Sequence, residues 1–373
     1  MKPETVVSVV ACSSYDLGGV RRAVTEALAP LGGMERFVRP GMRVLLKPNL
    51  LSAIQPERAV TTHPTVVRAV AEQVRQAGGM VWIGDSPSGH FDYAHVWRRS
   101  GMAEAAERAG GELLPFDVAA WKRLDDRDYF IARPVLEADL IINLPKLKTH
   151  ILTLYTGAVK NLFGTIPGTR KREAHVRAPG MPDFSRVLVD VLALVRPALT
   201  IMDGVVGLEG NGPGAGGTIH RYGCLATSTD AVALDAVLSQ AMGFRPGEVL
   251  HLAQAGERDL GLADPTAVRV VGEPRALDFG PLDLPRPHWY FHVPGWVSAP
   301  LQPLVRLRPR LNEQACIGCG RCVEACPRQT ITAGHPPVFD LDRCIGCMCC
   351  AEVCPQGAIA PRRNLLARLI GLG

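Results

Sequence analysis

Over the first 275 residues, short apolar runs alternate with longer stretches whose apolar positions recur at helical spacing. Five runs predict buried strands: Val44 to Leu46, Met80 to Ile83, Leu140 to Ile142, Leu199 to Met202, and Cys224 to Ala226. A sixth, Val6 to Ala11, reads as a buried first strand. Helical patterns fill the gaps: Leu17 to Leu31, Pro64 to Ala77, Tyr93 to Ala109, Phe184 to Val195 after Asp183 as N-cap, and Asp230 to Met242. Pro64 takes the favoured first helical position after Thr61-Thr62-His63, which offers His63 a structural role at that helix start. The alternation predicts the α/β class, with a mainly parallel sheet covered by helices.

The residues that follow each strand are polar. Val44 to Leu46 runs into Lys47-Pro48-Asn49, Met80 to Ile83 into Gly84-Asp85-Ser86, and Leu140 to Ile142 into Asn143 and then Lys146, Lys148 and His150. Leu199 to Met202 runs into Asp203 and a Gly-rich stretch from 207 to 217 that includes Glu209; Cys224 to Ala226 leads to Asp230. Ligands of open α/β sheets bind at the carboxyl ends of the strands, so a pocket is expected there. Lys47, Lys146, Lys148, His150, Lys160, Lys171 and His175 supply positive charge, which suits an anionic small-molecule substrate, a carboxylate or a phosphate. Lys148, His150, Lys160 and Asp85 are the expected catalytic residues; Lys47, Asn49, Lys146, Asn161, Asp203, Glu209 and Asp230 are the expected substrate-binding residues. The Gly-rich loop and the helix start at Asp230 offer further anion donors. Trp82, Trp97 and Trp121 are expected in the core.

Composition narrows the class. The 373 residues are 47% hydrophobic and 21% charged, with a formal charge of +5 spread along the chain, so no nucleic-acid partner is expected. No stretch approaches the roughly 18 to 20 apolar residues of a transmembrane helix. Val9-Val10-Ala11-Cys12 has the look of a lipoprotein box, but the apolar stretch before it is very short, and the strand reading is preferred. No nucleotide-binding glycine fingerprint, phosphate loop, H-E-x-x-H or G-x-S-x-G motif is present.

Nine of the eleven cysteines lie between Cys316 and Cys354, which points to metal in a reducing compartment, the cytoplasm, rather than to disulfides. Cys316, Cys319, Cys322, Cys326-Pro327 and Cys344, Cys347, Cys350, Cys354-Pro355 both fit C-x-x-C-x-x-C-x-x-x-C-P. Three closely spaced thiolates wrap one cubane face, and the fourth reaches the other cluster. Two 4Fe-4S clusters are therefore expected in a small α+β ferredoxin-like domain. The first takes Cys316, Cys319, Cys322 and Cys354; the second takes Cys344, Cys347, Cys350 and Cys326. Cys349 is surplus. Zinc ribbons use pairs of C-x-x-C instead of doubled runs of four.

The series Lys47-Pro48-Asn49-Leu50, Thr61-Thr62-His63-Pro64, Gly84-Asp85-Ser86-Pro87, Asn143 to His150, Thr156 to Gly164, Asp203-Gly204 with Glu209-Gly210, and Ser228-Thr229-Asp230 with Leu234-Asp235 resembles the domain-of-unknown-function 362 family. Members of that family often carry an appended ferredoxin module, and the resemblance supplies no substrate. The expected organisation is an α/β domain over 1–275, a Pro-rich linker over 276–311 strapped down by Trp289, Tyr290, Phe291 and Trp296, the ferredoxin domain over 312–360, and an amphipathic tail over 361–373 that packs on the body or a partner. The expected function is iron-sulfur electron transfer, as a reductase, with an electron donor or acceptor protein as partner. The competing readings are an electron-transfer subunit that docks a protein, and a group-transfer or binding protein with structural clusters.

Overall fold

The computed structural model describes residues 4–88, 92–178, 180–285 and 307–362. The linker aromatics and the tail beyond Arg362 lie outside them. In chain order the N-terminal elements are β1 (Val6–Ala11), α1 (Leu17–Leu28), β2 (Arg43–Pro48), α2 (Pro64–Gln76), β3 (Met80–Ile83), α3 (Tyr93–Arg99), α4 (Met102–Ala109), β4 (Glu112–Leu113), β5 (Ala119–Leu124), β6 (Arg127–Ala132), α5 (Arg133–Glu137), β7 (Leu140–Leu144), β8 (Lys146–His150) and β9 (Leu154–Thr156). There follow α6 (Ala158–Asn161), α7 (Gly168–Arg177), α8 (Met181–Val195), β10 (Leu199–Gly210), β11 (Gly217–His220), β12 (Cys224–Ser228), α9 (Ala231–Ala241), α10 (Leu250–Glu257) and β13 (Arg269–Gly272).

The main sheet runs β13-β1-β12-β10-β7-β2-β3-β4, with β8, β9 and β11 attached beside β10. Pairing is parallel from β10 through β7, β2 and β3 to β4, and antiparallel where β12 joins β1 and β10. Alternate strand residues feed opposite cores, as the pleat requires. Leu45 and Met202 enter the core built with α6, α8, α9 and α10, while Val44, Leu46 and Ile201 enter the one built with α1, α2 and α4.

Several expectations shift. The pattern from Tyr93 to Ala109 breaks into α3 and α4 at Gly101, whose φ of 75° no helix interior allows. Helix α8 begins earlier, with Gly180 rather than Asp183 at the N-cap. The Gly-rich stretch is not an open anion cradle: β10 continues to Gly210 and pairs with β11, making a hairpin. Trp121 lies on the β5–β6 hairpin and is 62% exposed, outside the core, because among the described residues that hairpin pairs with no other strand.

The C-terminal module holds β14 (Arg308–Leu311), α11 (Arg321–Ala325), β15 (Ile331–Thr332), β16 (Val338–Phe339), α12 (Cys349–Glu352) and β17 (Ile359–Arg362). β14 pairs with β17 and β15 with β16, both antiparallel. Its small core takes in Ile151, the residue after β8, so the N-terminal sheet contributes directly to the packing of the module.

Candidate functional site

Two buried ion pairs organise the carboxyl ends of the central strands. Lys47, on β2, lies 2.7 Å from Asp85 just beyond β3, and the other Asp85 oxygen accepts from the Leu50 amide at 2.7 Å. Lys146, on β8, lies 2.9 Å from Asp203 on β10 and donates to the Tyr15 hydroxyl at 2.6 Å. The Asp203 carboxylate also accepts from the His63 amide at 2.8 Å, and the His63 ring stacks on Tyr15 with centroids 3.6 Å apart. Every partner is spoken for, which is what burial of charge demands. His63 Nδ1 caps α2 by accepting from the Thr65 amide, the structural role its sequence position offered.

Helix α6 is set between two glycines that leave no room for a side chain. A Cβ on Gly164 would lie 2.0 Å from Asp85 Oδ1, and one on Gly157 would lie 2.1 Å from Asp235 Oδ1. Asp235 anchors the helix start by accepting from the Ala158 and Val159 amides at 2.7 and 2.8 Å and from the Tyr155 hydroxyl at 2.9 Å. This is the physical content of the run from Thr156 to Gly164: it seats Lys160 and Asn161 against the Lys47–Asp85 pair.

Lys160 and Asn161 face a cavity bounded on the sheet side by Asn49, Asp85, Ser86, Lys148, Thr156, Lys171 and His175. Its other wall is the ferredoxin module, through Ala325, Cys349, Glu352 and Val353. About 70 Å³ is open to the centres of water-sized molecules. Lys148 is tied down, donating to Asn49 Oδ1 and to the Val60 carbonyl, both at 2.7 Å, and Lys171 donates to the Ser86 carbonyl. Lys160 Nζ makes no hydrogen bond or ion pair among the described residues. Burial depresses all three ammonium groups, Lys148 well below its usual range and Lys171 to about 8; for Lys160, Glu352 pulls the other way. Burial also brings His175 down to about 4, so its ring is neutral where it stacks on Phe184. Three lysines against the carboxylates of Asp85 and Glu352 favour an anion.

The module is locked to this wall. His150 Nε2 lies 3.1 Å from Glu352 Oε1, Arg172 donates to the Glu324 carbonyl at 2.9 Å, and a Cβ on Gly214 would lie 2.4 Å from the Glu352 carbonyl oxygen. The glycines of the β10–β11 hairpin thus serve close packing between the two parts of the chain.

Inside the module, one small void is lined by Cys316, Cys319, Cys322 and Cys354, and a second by Cys326, Cys344, Cys347 and Cys350. Apolar residues, among them Leu311, Ile331, Phe339 and Ile359, complete both linings. No set of three ligating side chains among the described residues converges on a single ion. Four cysteines lining each void, from doubled runs of four rather than pairs of C-x-x-C, fit a cubane cluster better than a zinc ribbon. Backbone amides already donate to the sulfurs: Thr330 to Cys326 and Ala358 to Cys354 at 3.3 Å, Gly346 to Cys344 at 3.4 Å. Cys349 lines the lysine cavity and neither void.

Of the expected N-terminal site residues, Asn49, Asp85, Lys148, Lys160 and Asn161 line one cavity. Lys47 and His150 stand directly behind it, touching Asp85 and Glu352. Lys146 and Asp203 form the separate buried pair. Glu209 accepts from the Asp283 amide at 2.9 Å, and Asp230 caps α9 through the Val232 and Ala233 amides. Sequence reasoning missed Glu352. Its repeat mate Glu324 holds the same place in the first cysteine run yet is exposed, so only docking of the module distinguishes the two.

A family model described as a domain of unknown function, DUF362, matches residues 44–240, and a 4Fe-4S dicluster domain model matches residues 315–358. A thylakoid-associated protein of Synechocystis sp. is 39% identical over 280 residues, which cover 73% of this chain and 85% of that protein. Among solved structures, the lactate racemase apoprotein from Thermoanaerobacterium thermosaccharolyticum aligns with a TM-score of 0.40 and 12% identity over 64% of this chain and 58% of its own. A protein from Thermotoga maritima aligns with a TM-score of 0.35 and 11% identity, covering 52% and 51%. The chain therefore spans little more than half the length of these two solved chains. The dicluster match gives the C-terminal module iron-sulfur, electron-transfer character. No helix among the described residues is long and apolar enough to cross a membrane.

Proposed function

The chain belongs to the DUF362 family, and we propose that it is an iron-sulfur reductase in which the C-terminal module feeds electrons to a small anion held in the lysine cavity. The observation that carries this reading is Lys160: its ammonium group makes no hydrogen bond or ion pair among the described residues, in a cavity whose opposite wall is the cysteine-bearing module. A free, partly buried cation costs stability unless a ligand neutralises it.

Two 4Fe-4S clusters are assigned, one to Cys316, Cys319, Cys322 and Cys354 and one to Cys344, Cys347, Cys350 and Cys326; when bound, each supplies one-electron transfer. The two voids support that grouping. Lys160 and Lys171 clamp the anionic group, Lys148 fixes the orientation of Asn49, and Asp85 anchors Lys47 behind the wall. Lys171, near pH 8 in its proton equilibrium, is placed to hand a proton to the reduced product. Electrons enter from a redox protein at the edge where Cys319 is exposed and Ile317 is 58% exposed. A reducing compartment, the cytoplasm, is the setting proposed.

The test is anaerobic. The full-length holoprotein is reduced, and its cluster absorbance is followed while anion-exchange fractions of a metabolite extract are added. Reoxidation with a stoichiometric reduced product supports a reductase and identifies its substrate. Reoxidation only by a protein fraction, with no small product, replaces this reading with that of an electron-transfer subunit.

A further inference from the structure

Three oxygens of the cavity wall, on Ser86, Thr156 and Asn161, have no hydrogen-bonding partner among the described residues. Asn161 is 4% exposed, and its amide orientation is fixed, since Nδ2 donates to Asn143 Oδ1 at 2.8 Å and to the Lys47 carbonyl at 3.2 Å. Asn143 is fixed in turn by donating through its own Nδ2 to the Ala158 carbonyl at 2.9 Å. Asn161 Oδ1 is therefore an acceptor, and no described group donates to it. Thr156, also 4% exposed, leaves Oγ1 unpartnered. Buried polar atoms nearly always find partners, so three orphans on one wall, Ser86 Oγ among them, mark a place that something else completes. Glu352 adds a carboxylate from the module side.

A bare anion satisfies Lys160 and Lys171 but sets lone pairs against the oxygens of Asn161 and Glu352. Resting on the anion site argued above, we propose that the ligand is a small acid that carries a hydrogen-bond donor, a hydroxyl or an ammonium, beside its acidic group. The acid end meets Lys160 and Lys171; the donor meets Asn161 Oδ1, with Thr156 Oγ1 as second partner. The open volume of about 70 Å³, roughly five waters' worth, accommodates a compact molecule.

Titration calorimetry on the full-length holoprotein tests this with two sets of probes: acetate, glycolate and glycine, then succinate, malate and aspartate. Donor-bearing members are expected to bind about 5-fold or more tightly than acetate or succinate, the gain of one well-placed hydrogen bond. The order within each set separates hydroxyl from ammonium. Thr156→Val, which keeps shape, is expected to shrink the preference by at least half. Asn161→Ala risks misfolding, so the comparison among ligands carries the test. Equal or weaker binding of the donor-bearing acids overturns this inference and leaves the anion site standing. Failure of all six to bind at millimolar concentration overturns the anion site as well.

Discussion

His150 Nε2 and Glu352 Oε1 stand 3.1 Å apart, joining the last residue of β8 to the ferredoxin helix α12. His150 Nδ1 accepts from the Leu152 and Thr153 amides at 3.0 and 3.2 Å, so the ring proton rides on Nε2. The contact is the attraction of an imidazole for a carboxylate rather than a formed hydrogen bond. Burial, aided by Lys160, holds the imidazole at about 4, and it is neutral at pH 7. For Glu352, burial pushes upward, but His150 and Lys160 outweigh it and bring the carboxyl to about 2.

A double-mutant cycle measures this link. His150→Ala and Glu352→Ala are expected to show a coupling of about 1 kcal/mol in anaerobic denaturant melts. Strict additivity would mean that the contact does not bind the module to the sheet.

Lys160→Met separates function from stability. Removing an ammonium that makes no hydrogen bond among the described residues leaves the melting temperature nearly unchanged, because relief of its burial offsets the lost attraction to Glu352. Affinity for a small carboxylate falls about tenfold or more, the worth of a charge-assisted bond. A clear drop in melting temperature would show that Lys160 is structural.

Lys171 gives the site a pH dependence. Burial is the main force lowering it to about 8; Asp85 and Glu352 pull upward, while Lys47 and Lys160 push further down. The ammonium is present below that value and lost above it. Anion affinity is therefore expected to hold steady from pH 6 to 7 and to fall by about tenfold through pH 8 to 9, with that step missing in Lys171→Met. Stability moves the opposite way: the unfolded lysine keeps its ordinary value of 10.5, binds more protons between pH 8 and 10.5, and so favours folding as pH rises through that window. Binding that is flat from pH 6 to 10 would remove Lys171 from the anion site.

Asp235 is expected to matter without touching the cavity. Asp235→Ala removes three hydrogen bonds from the start of α6 and strands the Ala158 and Val159 amides, at a cost of about 3 kcal/mol. Anion binding falls with it, since Lys160 and Asn161 ride on that helix. Unchanged affinity would show that α6 keeps its seat without this anchor.

The strands and most helices were legible because a two-sided sheet imposes apolar runs and its helices impose a 3.6-residue period, as in Val44 to Leu46 and Pro64 to Gln76. The cysteine spacing was legible because ligation fixes it locally. The breaks came where long-range contact decides. Lys146 and Lys148 look alike in sequence, two residues apart on one face of β8, yet Asp203 claims the first and Asn49 the second. Asp203, Glu209 and Asp230 read as site acids, but each is taken by an ion pair, a loop amide or a helix cap. Glu352 carried no local signal, since its place in the cavity depends on how two distant parts of the chain dock.

The most direct measurement is single-turnover reoxidation of the reduced clusters by the active metabolite fraction, with wild type and Lys160→Met compared side by side. The expected result is rapid reoxidation in the wild type and a loss of about tenfold or more in the variant, with an unchanged rate toward a small dye that reaches the exposed Cys319 edge without entering the cavity. Equal rates with the metabolite in both proteins would contradict it, because electrons would then leave the module without passing the lysine cavity.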